Sequence, residues 1–121
     1  MEMATFLEMA KNTREVRVVV QGSGDEVRTP IWIVTVGPSV FVRSYRGDKG
    51  RWYRHVLAKR TFPLEIEGTD VVVSAEPVTT ATTHDDVSAA YKAKYPDEPE
   101  TPEMVSSPVV ATTLQLVPTE E

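Results

Sequence analysis

The stretch Arg28–Arg60, RTPIWIVTVGPSVFVRSYRGDKGRWYRHVLAKR, decides the fold. Two apolar segments, Ile31–Val36 and Val40–Tyr45, meet at Gly37-Pro38, which predicts a hairpin. On the first, Ile31, Ile33 and Thr35 point one way and Trp32, Val34 and Val36 the other, so the strand is expected to be central and covered on both sides. Pro30 removes one donor where the ladder would begin, a tolerated position. Gly47-Asp48-Lys49-Gly50 breaks the second strand. The following Arg51–Lys59, RWYRHVLAK, places Trp52, His55, Val56 and Lys59 near one helical stripe. A strand pair that empties into a cationic, glycine-containing loop and a helix start has the makings of a phosphate cradle.

Toward the N-terminus, Met3–Lys11 carries Met3, Phe6, Leu7 and Ala10 at helical spacing; Met3, Phe6 and Leu7, together with Trp32, offer more apolar surface than one six-stranded barrel readily hides, which predicts a homodimer. Arg14–Gln21 alternates with Val16, Val18 and Val20 on one face and reads as a strand, ended by the turn Gly22-Ser23-Gly24-Asp25. That turn lacks the GxGxxG pattern of a dinucleotide site. Toward the C-terminus, Phe62–Glu67 and Val71–Val78 read as strands around Glu67-Gly68-Thr69-Asp70. A helix is expected over Asp85–Tyr95, with Thr83 as N-cap and Asp86 completing an acidic capping box, until Pro96 ends it. Asp97–Glu103, with Pro99 and Pro102, reads as a surface excursion without core residues, and Val109–Val117 as the last strand. The sum is an α+β, mainly β, single domain spanning residues 1–121: a six-stranded antiparallel barrel with two or three short flanking helices.

Composition narrows the chemistry. No cysteine is present, so disulfides and thiolate sites are excluded, and two histidines argue against a His-based metal site. Short apolar runs and the absence of a signal-peptide pattern predict a soluble cytoplasmic protein without membrane contact. The net charge of −5 hides an asymmetry: residues 1–60 carry eleven Lys/Arg against six Asp/Glu, and residues 61–121 two against twelve. Seven basic residues lie within Arg43–Arg60 against one acid, Asp48, a concentration that draws an anion. An acidic chain with no recognised reader motif argues against nucleic acid.

Arg43 shares a side with Phe41 and Tyr45 in an apolar strand, so its charge calls for a phosphate or an acid such as Glu65. Lys49 sits between glycines in the loop. His55 and His84 read as structural, and Asp85 and Asp86 as helix-start acids rather than an acid/base pair.

The run IWIVTVGPSVFVRSYRGDKGRWYRHVLAK, with the later AAYKAKY and the closing TTLQLVP, resembles the bacterial family described as domain of unknown function 2255. More distantly, GDKGRWYRHVLA resembles a stretch of the deazaflavin-dependent nitroreductases, where a Gly-rich loop precedes a Trp-Tyr helix start. Those proteins share the FMN-binding split barrel of the pyridoxamine-phosphate oxidases. The resemblance implies a split barrel, dimeric, that binds FMN or a deazaflavin near the subunit interface. Carried over by position, it implies cofactor contacts at Arg28, Arg43, Ser44, Lys49, Trp52 and Tyr53. Catalytic residues are not implied. Three functional classes are then open: an oxidoreductase whose cofactor carries the chemistry, a split-barrel protein that binds an anionic small molecule without catalysis, and a protein-interaction module.

Overall fold

Two residues, Trp32 and Ile33, carry the chain from one edge of the sheet to the other. The computed structural model describes residues 1–119. In chain order the elements are α1 (Met3–Asn12), β1 (Val16–Gln21), β2 (Glu26–Ile31), β3 (Val34–Val36), β4 (Ser39–Val42) and α2 (Arg51–Lys59). They continue as β5 (Thr61–Ile66), β6 (Thr69–Pro77), α3 (Ala81–Lys94), α4 (Thr101–Met104), α5 (Ser107–Val110) and β7 (Leu114–Pro118), with a 3-10 turn at Gly47–Lys49 between β4 and α2. All strand pairs are antiparallel, in the order β2-β1-β5-β6-β7-β4-β3.

Chain length forces the shape. From Ile31 to Val34 the backbone spans at most about 11 Å. The edges of a flat seven-stranded sheet would lie roughly 29 Å apart. The sheet therefore curls into a half-barrel until β2 and β3 nearly meet.

Leaving the ladder strands the backbone groups of Ile33, which is fully buried. The end of α3 meets them. The Tyr95 hydroxyl accepts the Ile33 N–H at 3.3 Å and donates to Arg14 O at 2.7 Å. Lys94 Nζ donates to Ile33 O at 2.7 Å and to Ala10 O at 2.9 Å, tying in the last turn of α1 as well. Removing the hydroxyl with Tyr95→Phe leaves a buried N–H unsatisfied, and is expected to cost about 1.5 kcal/mol in urea denaturation. An unchanged midpoint would show that the crossing holds without it.

The inward faces of β1, β5, β6, β7 and β4 supply the main core, including Val18, Leu64, Val73, Leu116 and Val42, closed by Phe6 and Ala10 of α1 and Trp52, Tyr53 and Val56 of α2. A second core lies on the other face of the β3–β4 hairpin, where Val34 and Phe41 meet Val87 and Tyr91 of α3. Both faces of the hairpin are thus covered, although β3 forms an edge.

Among the described residues there are seven strands rather than six, and five helices rather than two or three. The additional strand is β2, whose EVRTPI lacks alternation because it is a half-exposed edge that buries no continuous face. The expected strand Ile31–Val36 is the end of β2, the crossing and then β3. Helix α3 begins at Ala81, so Thr83 and Asp86 lie inside it and form no capping box; Thr80 stands at the N-cap without a side-chain bond. Asp97–Glu103 is not coreless: Thr101 is buried with its hydroxyl on Tyr95 O, beside buried Met104. Val109 and Val110 belong to α5 rather than to the last strand. The α1 side chains read as surplus apolar surface are internal: Phe6 is fully buried, and Met3 and Leu7 pack against the core. No described helix is long and apolar enough to cross a membrane.

Candidate functional site

The β4–α2 connection, the β2 edge and the α3–α4 segment together enclose an open cavity of about 840 Å³. One wall is basic, with Arg43, Arg46, Lys49 and Arg51 lining it beside Ser44 and Gly50. Thr29–Trp32 also line it, joined by Arg14 and Glu15, while Glu98, Glu100 and Met104 come from the α3–α4 side. Trp32 stacks on Tyr95 at 4.0 Å and 3°, and Arg14 lies 4.9 Å from the Tyr95 ring while pairing with Glu98 at 2.9 Å. The Trp32 plane is therefore held rigidly from behind.

Arg43 is 1% exposed and makes no ion pair among the described residues. Its Nε donates to Thr113 Oγ1, its Nη1 to Ser88 Oγ and Met104 O, and its Nη2 to His84 O, all at 2.8–3.0 Å. The guanidinium lies 5.4 Å from the Tyr91 ring. Burial pushes its pKa below the ordinary arginine value. A buried cation satisfied only by neutral acceptors still lacks a counter-charge, and it borders the cavity.

Beside it, the start of α2 is open. Gly50 is its N-cap and offers no side-chain bond, so the first-turn amides have no partner within the helix. Gly50 has an ordinary φ of −63°. Its lack of a side chain is required by space instead: a Cβ would stand 2.5 Å from Ser44 Oγ.

Of the six positions that resemblance carried over, the cavity brings together Arg43, Ser44, Lys49 and Trp52. Arg28 lies elsewhere, bonded to Glu26, Glu65 and Asp70 at 2.7–2.9 Å; these contacts raise its pKa and hold the Asp70 carboxyl below its usual range. Glu65, named as a partner for Arg43, thus serves Arg28. Tyr53 is in the main core, edge-on to Trp52, and burial raises its phenol pKa. The wall residues Arg14, Glu15, Glu98 and Glu100 carried no sequence signal, because residues 84 positions apart meet only through folding.

Beneath the Trp32 wall, burial and then Arg14 lower the Lys94 pKa to about 8 from 10.5. The native state thus binds this proton less tightly than the unfolded chain. Stability should be reduced below pH 8 and recover as pH rises from about 8 toward 10.5. Above pH 10 the raised pKa values of Tyr91 and Tyr95, the latter about 12, act in the opposite sense. Urea midpoints of wild type minus Lys94→Met isolate the lysine, and a difference that is flat between pH 7 and 10 would contradict this.

A family model described as "Uncharacterized protein conserved in bacteria (DUF2255)" matches residues 6–116. No curated protein matches. Among solved structures, a Listeria innocua protein provisionally described as a pyridoxamine 5'-phosphate oxidase is similar at 9% identity and TM-score 0.66, covering 98% of this chain and 94% of that one. A conserved hypothetical protein of Mycobacterium tuberculosis is similar at 15% identity and TM-score 0.63, covering 99% and 82%. An FAD and heme binding protein of Mycobacterium smegmatis is similar at 16% identity and TM-score 0.54, covering 93% and 63%. At these identities the likeness concerns the fold.

Proposed function

The chain belongs to the DUF2255 family, and from its half-barrel and basic cavity we propose that it binds a phosphate-bearing flavin-type cofactor, FMN or a deazaflavin, and serves as an oxidoreductase on a small molecule. The observation that carries this reading is convergence. Five cations, one of them buried without a counter-ion and one paired with Glu98, and an uncapped helix start border a single cavity that is also lined by a braced tryptophan. Arg46, Lys49 and Arg51 would hold the phosphate, with the buried charge of Arg43 behind them and the α2 amides favouring negative charge beside them. Ile31, Trp32 and Trp52 would wall the ring. When bound, such a cofactor supplies the hydride chemistry, and the protein supplies orientation and electrostatics. The similar proteins described as an oxidase of a phosphorylated substrate and as an FAD binder are consistent with this class of ligand.

A homodimer belongs to the same reading. Its support is no longer α1 but the outer sheet, where Val72 and Val117 lie exposed on paired strands.

FMN at one hundred times its Kd should stabilise the protein by about 2.7 kcal/mol, a melting shift of several degrees. Native mass spectrometry of freshly purified protein reads the dimer mass and any retained cofactor. No shift with FMN or deazaflavin, together with a ligand-free mass, would overturn the cofactor assignment. Bound flavin without turnover of reduced nicotinamide would leave a binding protein.

A further inference from the structure

We infer that Thr112, which does not touch the cavity, is the positioning residue for its anion-binding end; the inference rests on the flavin-type reading only for the ligand that reports it. The β4–β7 ladder ends at the pair Val42–Leu114. Two positions further on, the Ser44 N–H is taken by the Thr112 hydroxyl at 2.9 Å, so a side chain replaces the missing rung. The same hydroxyl donates to Val109 O at 2.6 Å, which ties it to α5.

From Ser44 the connection runs on without a gap. Ser44 Oγ donates to Gly47 O at 2.8 Å, and Gly47 O also accepts the Gly50 N–H at 3.3 Å. Gly50 O accepts the Arg54 N–H at 3.1 Å, inside α2. The close fit of Ser44 Oγ against Gly50 leaves no room for the turn to drift. Thr112 and Ser44 are 1% exposed or less, so water cannot stand in for a lost partner. Thr113 performs the parallel task for the cation: its Oγ1 accepts from Arg43 Nε and donates to Val110 O. Two adjacent threonines thus aim the two parts of the cradle, Thr113 the guanidinium and Thr112 the helix start. A ligand that bonds the α2 amides feels the second through orientation alone.

The test compares Thr112→Val, which keeps the shape and loses the hydroxyl, with Thr112→Ser, which keeps the hydroxyl. Hydrogen exchange of the ligand-free protein should quicken about tenfold at the Gly50 and Arg54 amides, bonded to Gly47 O and Gly50 O, in Thr112→Val, with the amides of Val56–Lys59 unchanged. FMN affinity should fall about tenfold while that of riboflavin, which lacks the phosphate, stays within about twofold. Thr112→Ser should restore both. Unchanged exchange at Gly50 and Arg54, or equal losses for FMN and riboflavin, would overturn the inference. If wild type binds neither flavin, the cofactor reading fails and the exchange result alone decides the positioning role. If Thr112→Val does not fold, Ser44→Ala cuts the same connection one link later, with the same expectations.

Discussion

Arg43→Leu is expected to lower stability by about 3 kcal/mol, a fall of roughly 10 °C in melting temperature for a chain of this length. The guanidinium is shared by four elements of structure: it extends from the end of β4 and bonds Ser88 and His84 on α3, Met104 on α4 and Thr113 before β7. Leucine fills part of the space and satisfies none of those acceptors. Against this stands the relief of removing a buried charge that has no anionic partner, which keeps the net cost below the simple sum of four bonds. Arg43→Lys separates the two effects. Lysine restores a charge but lacks the planar fork, so it should recover less than half of the loss. A leucine variant within about 0.5 kcal/mol of wild type in urea would show that the four contacts are dispensable. Full rescue by lysine would show that charge matters there rather than geometry.

Gly50→Ala should be nearly as damaging, at about 2–3 kcal/mol, and should also weaken FMN binding at least about tenfold. The cause is contact, not backbone conformation. At φ −63° alanine would be at ease, yet its Cβ would meet the buried Ser44 Oγ at 2.5 Å. Either Ser44 abandons Gly47 O or the α2 start moves outward, away from Arg43 and Lys49. Coupling to Ser44 makes this specific. In a Ser44→Ala background the offending oxygen is gone, so Gly50→Ala should cost less than it does alone, a non-additivity of about 1 kcal/mol or more. Strict additivity would mean that the alanine harms the protein by some other route.

The AAYKAKY segment illustrates how much a pattern conveys. A helix is expected across it, and α3 buries Tyr91 within it and Val87 just before it. What Lys94 and Tyr95 do there, satisfying the stranded backbone of Ile33, is written nowhere near them in sequence. The cradle shows the same division. The basic run Arg43–Arg51 was visible as a cluster and lines one cavity wall. Arg28 looked equivalent by position, but three carboxylates hold it elsewhere.

The local elements were legible in the chain: the alternating strands that make it mainly β, the α1, α2 and central α3 helices, and the density of positive charge around one glycine-rich turn. Those follow from periodicity and composition, which act over a few residues. Assembly of the sheet alone divides Ile31–Val36 between two opposite edges, because a strand and a sheet crossing share the same apolar run and differ only in which partners lie nearby. It likewise decided which charges face the cavity and which neutralise one another, since an arginine's role depends on acceptors that are distant in sequence, such as Thr113 for Arg43 and Asp70 for Arg28. Burial makes such choices costly to change, and burial is a property of the assembled half-barrel.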